Sequence, residues 1–163
     1  MGSSTSPRWL SEAEQDAWRA YLWAGRELDV AMEQDLAPLG LSLAEYELIS
    51  MLSEAPSGRL RMSTLAELVV QSRSRVTHTA SRLEGRGWVR RVPDATDGRG
   101  VVLCLTPKGR TALEEASEVH VESVRRHFID LLSDDQIADL GRVMHTVREA
   151  YAQSATAGLP KPR

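Results

Sequence analysis

With 163 residues the chain can form one compact domain with a real core, or a small domain with helical extensions. Its 42% hydrophobic and 26% charged residues suit an ordinary soluble globular protein, and no stretch is long and apolar enough to span a membrane. Trp9-Leu10 runs at once into Ser11, Glu12 and Glu14, which is not a secretory core, so the expectation is a cytoplasmic protein with no membrane partner.

From Glu12 to Leu36 the positions Trp18, Leu22, Gly25, Leu28, Met32 and Leu36 recur every three or four residues. The spacing predicts one long helix ending near Pro38-Leu39-Gly40. Ser42-Leu43-Ala44-Glu45 has the form of a capping box and starts a second helix through Tyr46, Ile49 and Leu52, stopped before Pro56-Ser57-Gly58. Arg59 to Arg61 suits a short strand, after which Ser63 is expected to cap a third helix with Leu65, Leu68 and Val69 inward. A fourth helix is predicted from Arg73 to about Arg86. Its buried stripe is Val76, Ala80 and Leu83, which turns Ser74, Arg75, Thr77, His78, Ser81 and Arg82 outward. Gly85 and Gly87 are expected to supply its left-handed stop.

Trp88 to Val92 and Val101 to Leu105 are β-rich runs around the turn-forming segment Pro93 to Gly100, and together predict a hairpin with an extended tip. Thr106-Pro107 then opens a fifth helix whose stripe continues through Leu113, His120, Val124, Phe128 and Leu131. Ser133-Asp134-Asp135-Gln136 is a further capping box, launching a last helix with the stripe Ile137, Leu140, Met144, Val147 and Tyr151, and the tail from Ser154 is expected to fray. The fold class is therefore mainly α with a small β-hairpin. The single cysteine, Cys104, excludes an intrachain disulfide framework and a Cys-rich zinc site, and no cofactor is expected.

Charge is unevenly placed. The formal net charge is −3, yet residues 59 to 110 hold eleven Lys/Arg against four acidic residues, a surplus of seven, while the rest holds nine against nineteen. A basic middle in an acidic frame is the footprint of a localised polyanion site, although a merely solvated basic face is the simpler alternative. Arg73-Ser74-Arg75 sharpens the choice. Two arginines in a first helical turn oppose the helix dipole by roughly 0.3–1 kcal/mol each. Such a cost suits a helix built to meet an anion, and a short helix and a tight turn precede it, as in a helix-turn-helix that reads DNA.

On that reading Arg75, Thr77 and His78 are candidates for base edges, and Ser72, Arg73, Ser74 and Arg82 for phosphates. At the hairpin tip Arg99, steadied by Asp97, is placed for the minor groove. The alternatives are arginines paired with Glu84 and Glu67, and a plain turn salt bridge between Asp97 and Arg99.

The run from Leu60 to Gly109 resembles the MarR family of winged-helix transcriptional regulators. The resemblance rests on Arg61-Met62-Ser63-Thr64-Leu65-Ala66, Ser72-Arg73-Ser74-Arg75-Val76-Thr77, Arg82-Leu83-Glu84-Gly85-Arg86-Gly87, Asp97-Gly98-Arg99 and Leu105-Thr106-Pro107-Lys108-Gly109. It implies a single domain over 1–163, with a winged helix-turn-helix DNA-binding lobe at 42–106 and dimerisation helices at 11–38 and 107–155. It also implies a homodimer on a pseudo-palindromic operator in double-stranded DNA. Regulation is expected to be repression, relieved by a small aromatic or anionic effector. Amphipathic helices flanking a lobe with its own core support the dimer independently, because their stripes exceed what that lobe can cover.

Trp9, Trp18, Tyr21 and Trp23 cluster near the first helix. Packing is the expectation for Trp18, while Trp9, Tyr21, Trp23 and His120 are the effector-site candidates; for His120 a satisfied core or interface histidine is the first reading and a ligand- or pH-sensing role the second. His120 and His127 lie seven residues apart on one helix, about 10.5 Å by helical rise, so one metal cannot take both. Nucleophile, base and orienting residue do not occur at recognisable spacing, which argues against an enzyme. A constitutive DNA binder or an activator would carry the same helix and wing. A winged-helix protein-interaction module is expected to lose outward cations such as Arg73, Arg75, Arg82 and Arg99, which this chain keeps.

Overall fold

Side-chain caps fix where the long helices begin. The structure, a computed structural model, describes residues 7–94 and 100–156. Two compact units divide the chain, Met1–Ser123 and Val124–Arg163. In the first, α1 (Glu12–Leu36) starts at Ser11, whose hydroxyl accepts from the Glu14 amide while the Glu14 carboxylate accepts from the Ser11 amide at 2.8 Å. The Ser11 amide first, and the Ser11 hydroxyl after it, hold the Glu14 carboxyl below its usual range. The same reciprocal pair, Ser42 and Glu45, opens α2 (Leu43–Glu54), and Glu33 of α1 accepts from the Leu43 amide at 2.6 Å.

β1 (Arg59–Arg61) runs without a loop into α3 (Met62–Leu68), so Arg61 itself is the N-cap and no side chain caps the helix. Ser63 therefore lies inside the first turn rather than at the cap. The inward pair of this short helix is Leu65 and Ala66; Leu68 is 52% exposed and Val69 half-buried, because one side only of α3 faces the core. α4 (Arg73–Gly85) keeps the expected stripe, with Thr79 added: Val76, Ala80 and Leu83 are fully buried. Its end is a Schellman turn in which Trp88 N–H donates to the Leu83 carbonyl and Gly87 N–H to that of Glu84. Gly87, at φ +73°, supplies the left-handed residue alone; Gly85 stays helical.

The hairpin β2 (Val89–Pro93) and β3 (Val101–Leu105) pairs Val89 with Leu105 and Pro93 with Val101. β1 adds to the outer edge of β3, giving an antiparallel sheet in the order β1-β3-β2. Leu36, Leu48, Ile49, Leu52, Leu65, Val76, Leu83 and Leu103 form a fully buried core between helices and sheet, each contributing about 1.5–3 kcal/mol of burial. Cys104 is buried.

α5 (Pro107–His127) begins where Thr106 accepts from the Gly109 amide and donates to the Gly87 and Trp88 carbonyls. Its α-helical stripe stops at His127, because Phe128 leaves helical geometry, and Leu131 falls on a following 3-10 turn with 71% of its surface exposed. In the second unit Ser133 and Gln136 cap α6 (Asp134–Thr156) reciprocally, and the helix carries on past Ser154, where fraying was expected. Val147 and Tyr151 of the expected stripe are exposed, as is Val143. In the first unit Leu36 is the one buried residue of α1, while Trp18, Tyr21, Trp23 and Val30 stand more than half exposed.

Candidate nucleic-acid interface

Ser72 caps α4 by accepting from the Arg75 amide at 3.3 Å, and its hydroxyl lies 3.1 Å from that of Ser74. With Val76, Thr79, Ala80 and Leu83 locked into the core, the other side of the helix presents Arg73, Ser74, Arg75, Thr77, His78 and Ser81 to solvent. The first turn holds no acidic residue. Thr77 returns its hydroxyl proton to the Arg73 carbonyl at 2.8 Å, which leaves its oxygen as an acceptor. The sequence-predicted residues Ser72, Arg73, Ser74, Arg75, Thr77 and His78 are thus all exposed on the side of α4 away from the core.

Arg82 behaves differently. Its Nε lies 3.1 Å from the carboxylate of Glu45, a fully buried residue of α2, although half of the arginine side chain stays exposed. Glu45 also accepts from the Ser42 amide and hydroxyl, so the capping carboxylate of α2 doubles as an anchor for α4. The alternative reading paired the outward arginines with Glu84 and Glu67; Glu84 holds Arg91 of β2. Sequence reading found Glu45 only as a helix cap, and missed Arg91. A charged residue at a helix N3 position and a second arginine in an alternating strand are the only local signals either gives.

Two clefts flank α4. One, of about 380 Å³, lies where the start of α3 meets α4 and the wing, and is lined by Arg61, Ser63, Arg73, Thr77 and Gly100 among others. Arg61 is ion-paired with Asp94, a largely buried carboxylate whose backbone N–H closes the wing base on the Gly100 carbonyl at 2.9 Å. The wing-tip candidates Asp97 and Arg99 lie outside the described residues. The other cleft, of about 800 Å³, sets Asp29, Glu33 and Glu47 opposite Arg75, His78 and Arg82. Burial and the neighbouring Asp29 push the Glu47 carboxyl up, against the opposing pull of Arg75 and a 3.2 Å hydrogen bond from Gln71.

The effector candidates are divided. Trp9, Tyr21 and Trp23 are 83%, 56% and 61% exposed, and Tyr21 stacks on Trp18, which is itself half exposed rather than packed. His120 lies elsewhere, its ring 4.2 Å from that of Tyr46, with a buried Nδ1 that has no hydrogen-bond partner among the described residues. Among the described residues no group of His, Cys, Asp and Glu is arranged to hold a metal ion.

A helix-turn-helix followed by an antiparallel wing, with the second helix presenting a capped, cationic, solvent-facing surface, defines a winged-helix protein. A profile of the MarR family matches residues 39–100. AbsC, a MarR family transcriptional regulator from Streptomyces coelicolor, is 39% identical, covers 90% of this chain and 99% of its own, and superposes with a TM-score of 0.83. Sco3205, a MarR family transcriptional regulator from the same organism solved in complex with DNA, is 38% identical over 88% of this chain and 91% of its own, again at 0.83. The HTH-type transcriptional repressor Rv2887 of Mycobacterium tuberculosis is 29% identical over 67% of this chain and 76% of its own. The chain belongs to the MarR family of transcriptional regulators.

Proposed function

We propose that this protein is a homodimeric repressor that grips a pseudo-palindromic operator and is released by a small aromatic or anionic ligand. The observation that carries the reading is the exposed face of α4, where a capped first turn with two arginines stands clear of every core contact. In this reading α4 enters the major groove, Arg75 and His78 meet base edges with Thr77 offering its methyl group, and Ser72, Arg73 and Ser74 bind phosphates. Arg82 serves chiefly to hold α4 to Glu45, and Asp97 with Arg99 serve the minor groove.

The lobe spans 42–106, and the dimer is built by the segments 11–38 and 107–155. Aromatic and branched side chains left open on α1, and separately on α6, are the surfaces a second copy would cover. Support for DNA as the partner comes from Sco3205, solved with DNA, and for repression from Rv2887, named a repressor. Ligand candidates are Trp9, Tyr21, Trp23 and His120, brought together only if the dimer joins them.

A mobility-shift assay on the DNA upstream of the protein's own gene, repeated against a panel of phenolic and carboxylate compounds, tests both halves of the proposal. Retardation that one class of compound reverses is the expected result. Failure to retard that duplex at low salt would remove autorepression, and sedimentation as a monomer would remove the twofold grip.

A further inference from the structure

One guanidinium from the wing holds the exposed helix. Arg91 of β2 is half-buried, and its Nη1 is paired with the Glu84 carboxylate. Its Nη2 donates to the Thr77 carbonyl at 3.0 Å and to the Ser81 hydroxyl at 2.9 Å, while its backbone N–H donates to Glu84 at 2.9 Å. Ser81 in turn donates to the same Thr77 carbonyl at 2.9 Å. Positions 77, 81 and 84 form a stripe up one side of α4, about 10 Å from end to end by helical rise.

The core stripe Val76, Ala80 and Leu83 seats α4, and one further polar contact on its flank would add little control over its rotation. A planar fork engaged at successive heights fixes both rotation and slide against the sheet. Glu84 sits in the last turn of α4, where a carboxylate is disfavoured by the helix dipole, so its pairing with Arg91 also offsets that local cost. The arrangement matters because Arg75 and His78 project from the same helix. Side chains that read a partner must be held to about 10–20° of the productive orientation.

We propose that Arg91 is a positioning residue that sets the rotation of α4, and through it the sequence preference of the interface, without itself touching DNA. This rests on the reading that α4 enters the major groove. Its guanidinium is already matched by a carboxylate, so it should add little to phosphate affinity, and its loss should act on selectivity.

The test uses the full chain as wild type, Arg91→Gln, Arg91→Lys and Glu84→Gln. Wild type first enriches sequences from a randomised-core duplex library, and each protein is then titrated by fluorescence anisotropy against the enriched duplex and a scrambled one at several salt concentrations. The expected result for Arg91→Gln is a selected-to-scrambled affinity ratio about tenfold smaller, as for loss of charge-assisted hydrogen bonds, with the slope of log K against log salt unchanged. Arg91→Lys keeps the charge but not the fork and should lose most of the same ratio. An unchanged ratio in Arg91→Gln overturns the proposal, as does a slope reduced by about one phosphate charge with selectivity kept. Should Arg91→Gln not fold, wild-type ratios in both Arg91→Lys and Glu84→Gln overturn it equally. Wild type that enriches no sequence sinks the groove-reading itself and this proposal with it, a result distinct from selective wild type and equally selective variants.

Discussion

Gly109 marks the tightest join between the winged lobe and α5. A Cβ at this position would lie 2.0 Å from the Trp88 carbonyl oxygen, 2.8 Å from its carbonyl carbon and 2.9 Å from Leu105 Cδ1. Carbon and oxygen atoms not bonded to each other settle at about 3.3–3.6 Å, so Gly109→Ala forces the start of α5 to retreat from Trp88 by more than about 1 Å. That retreat pulls on the 3.0 Å bond from the Thr106 amide to the Trp88 carbonyl and on the Thr106 hydroxyl bonds to Gly87 and Trp88. Losing two or three such bonds costs about 1 kcal/mol each, and alanine's better helix propensity returns at most about 1 kcal/mol. The expected net destabilisation is about 1–3 kcal/mol, read as a lower midpoint in urea at unchanged m-value. Gly85→Ala is the matched comparison, since a Cβ there meets nothing within 4 Å and the residue is helical; it should be neutral or gain up to about 1 kcal/mol. If Gly109→Ala proves as stable as wild type while Gly85→Ala behaves as stated, the close approach of α5 to Trp88 is not what the geometry describes.

Val70, in the turn between α3 and α4, has φ +51° and is 90% exposed, so a β-branched residue occupies a left-handed conformation with no packing to compensate. Val70→Gly should raise stability by about 1 kcal/mol in the same denaturation assay, and a loss would contradict the strain. Arg75→Ala should cost about 1–3 kcal/mol of discrimination at one base position, seen as relaxed preference there across a series of operator mutants; equal profiles for variant and wild type would unseat that assignment. Burial lowers the His120 pKa from its ordinary value near 6.5. In the window just below 6.5 the unfolded chain therefore binds more protons than the folded one, and stability should fall as pH drops through it. His120→Asn should flatten that part of a stability-versus-pH curve, and an identical slope in the variant would assign the titration to another group.

Much of the architecture was legible in the sequence because it depends on short-range chemistry. Ser42 with Glu45 and Ser133 with Gln136 close their caps over three residues, and the stripe Val76, Ala80, Leu83 repeats within one helix, so counting along the chain identifies which face of α4 turns outward. The same locality misplaced the start of α3, since a strand running directly into a helix leaves no loop for Ser63 to cap. Tertiary structure alone decided the partners of the charged groups. Arg82 meets Glu45 across the α2–α4 packing, Arg91 reaches Thr77 and Ser81 from a strand, and β1 finds β3. Such pairings depend on how elements come together in space, and a guanidinium's partner is whichever acceptor the fold brings within about 3 Å, which no periodicity encodes.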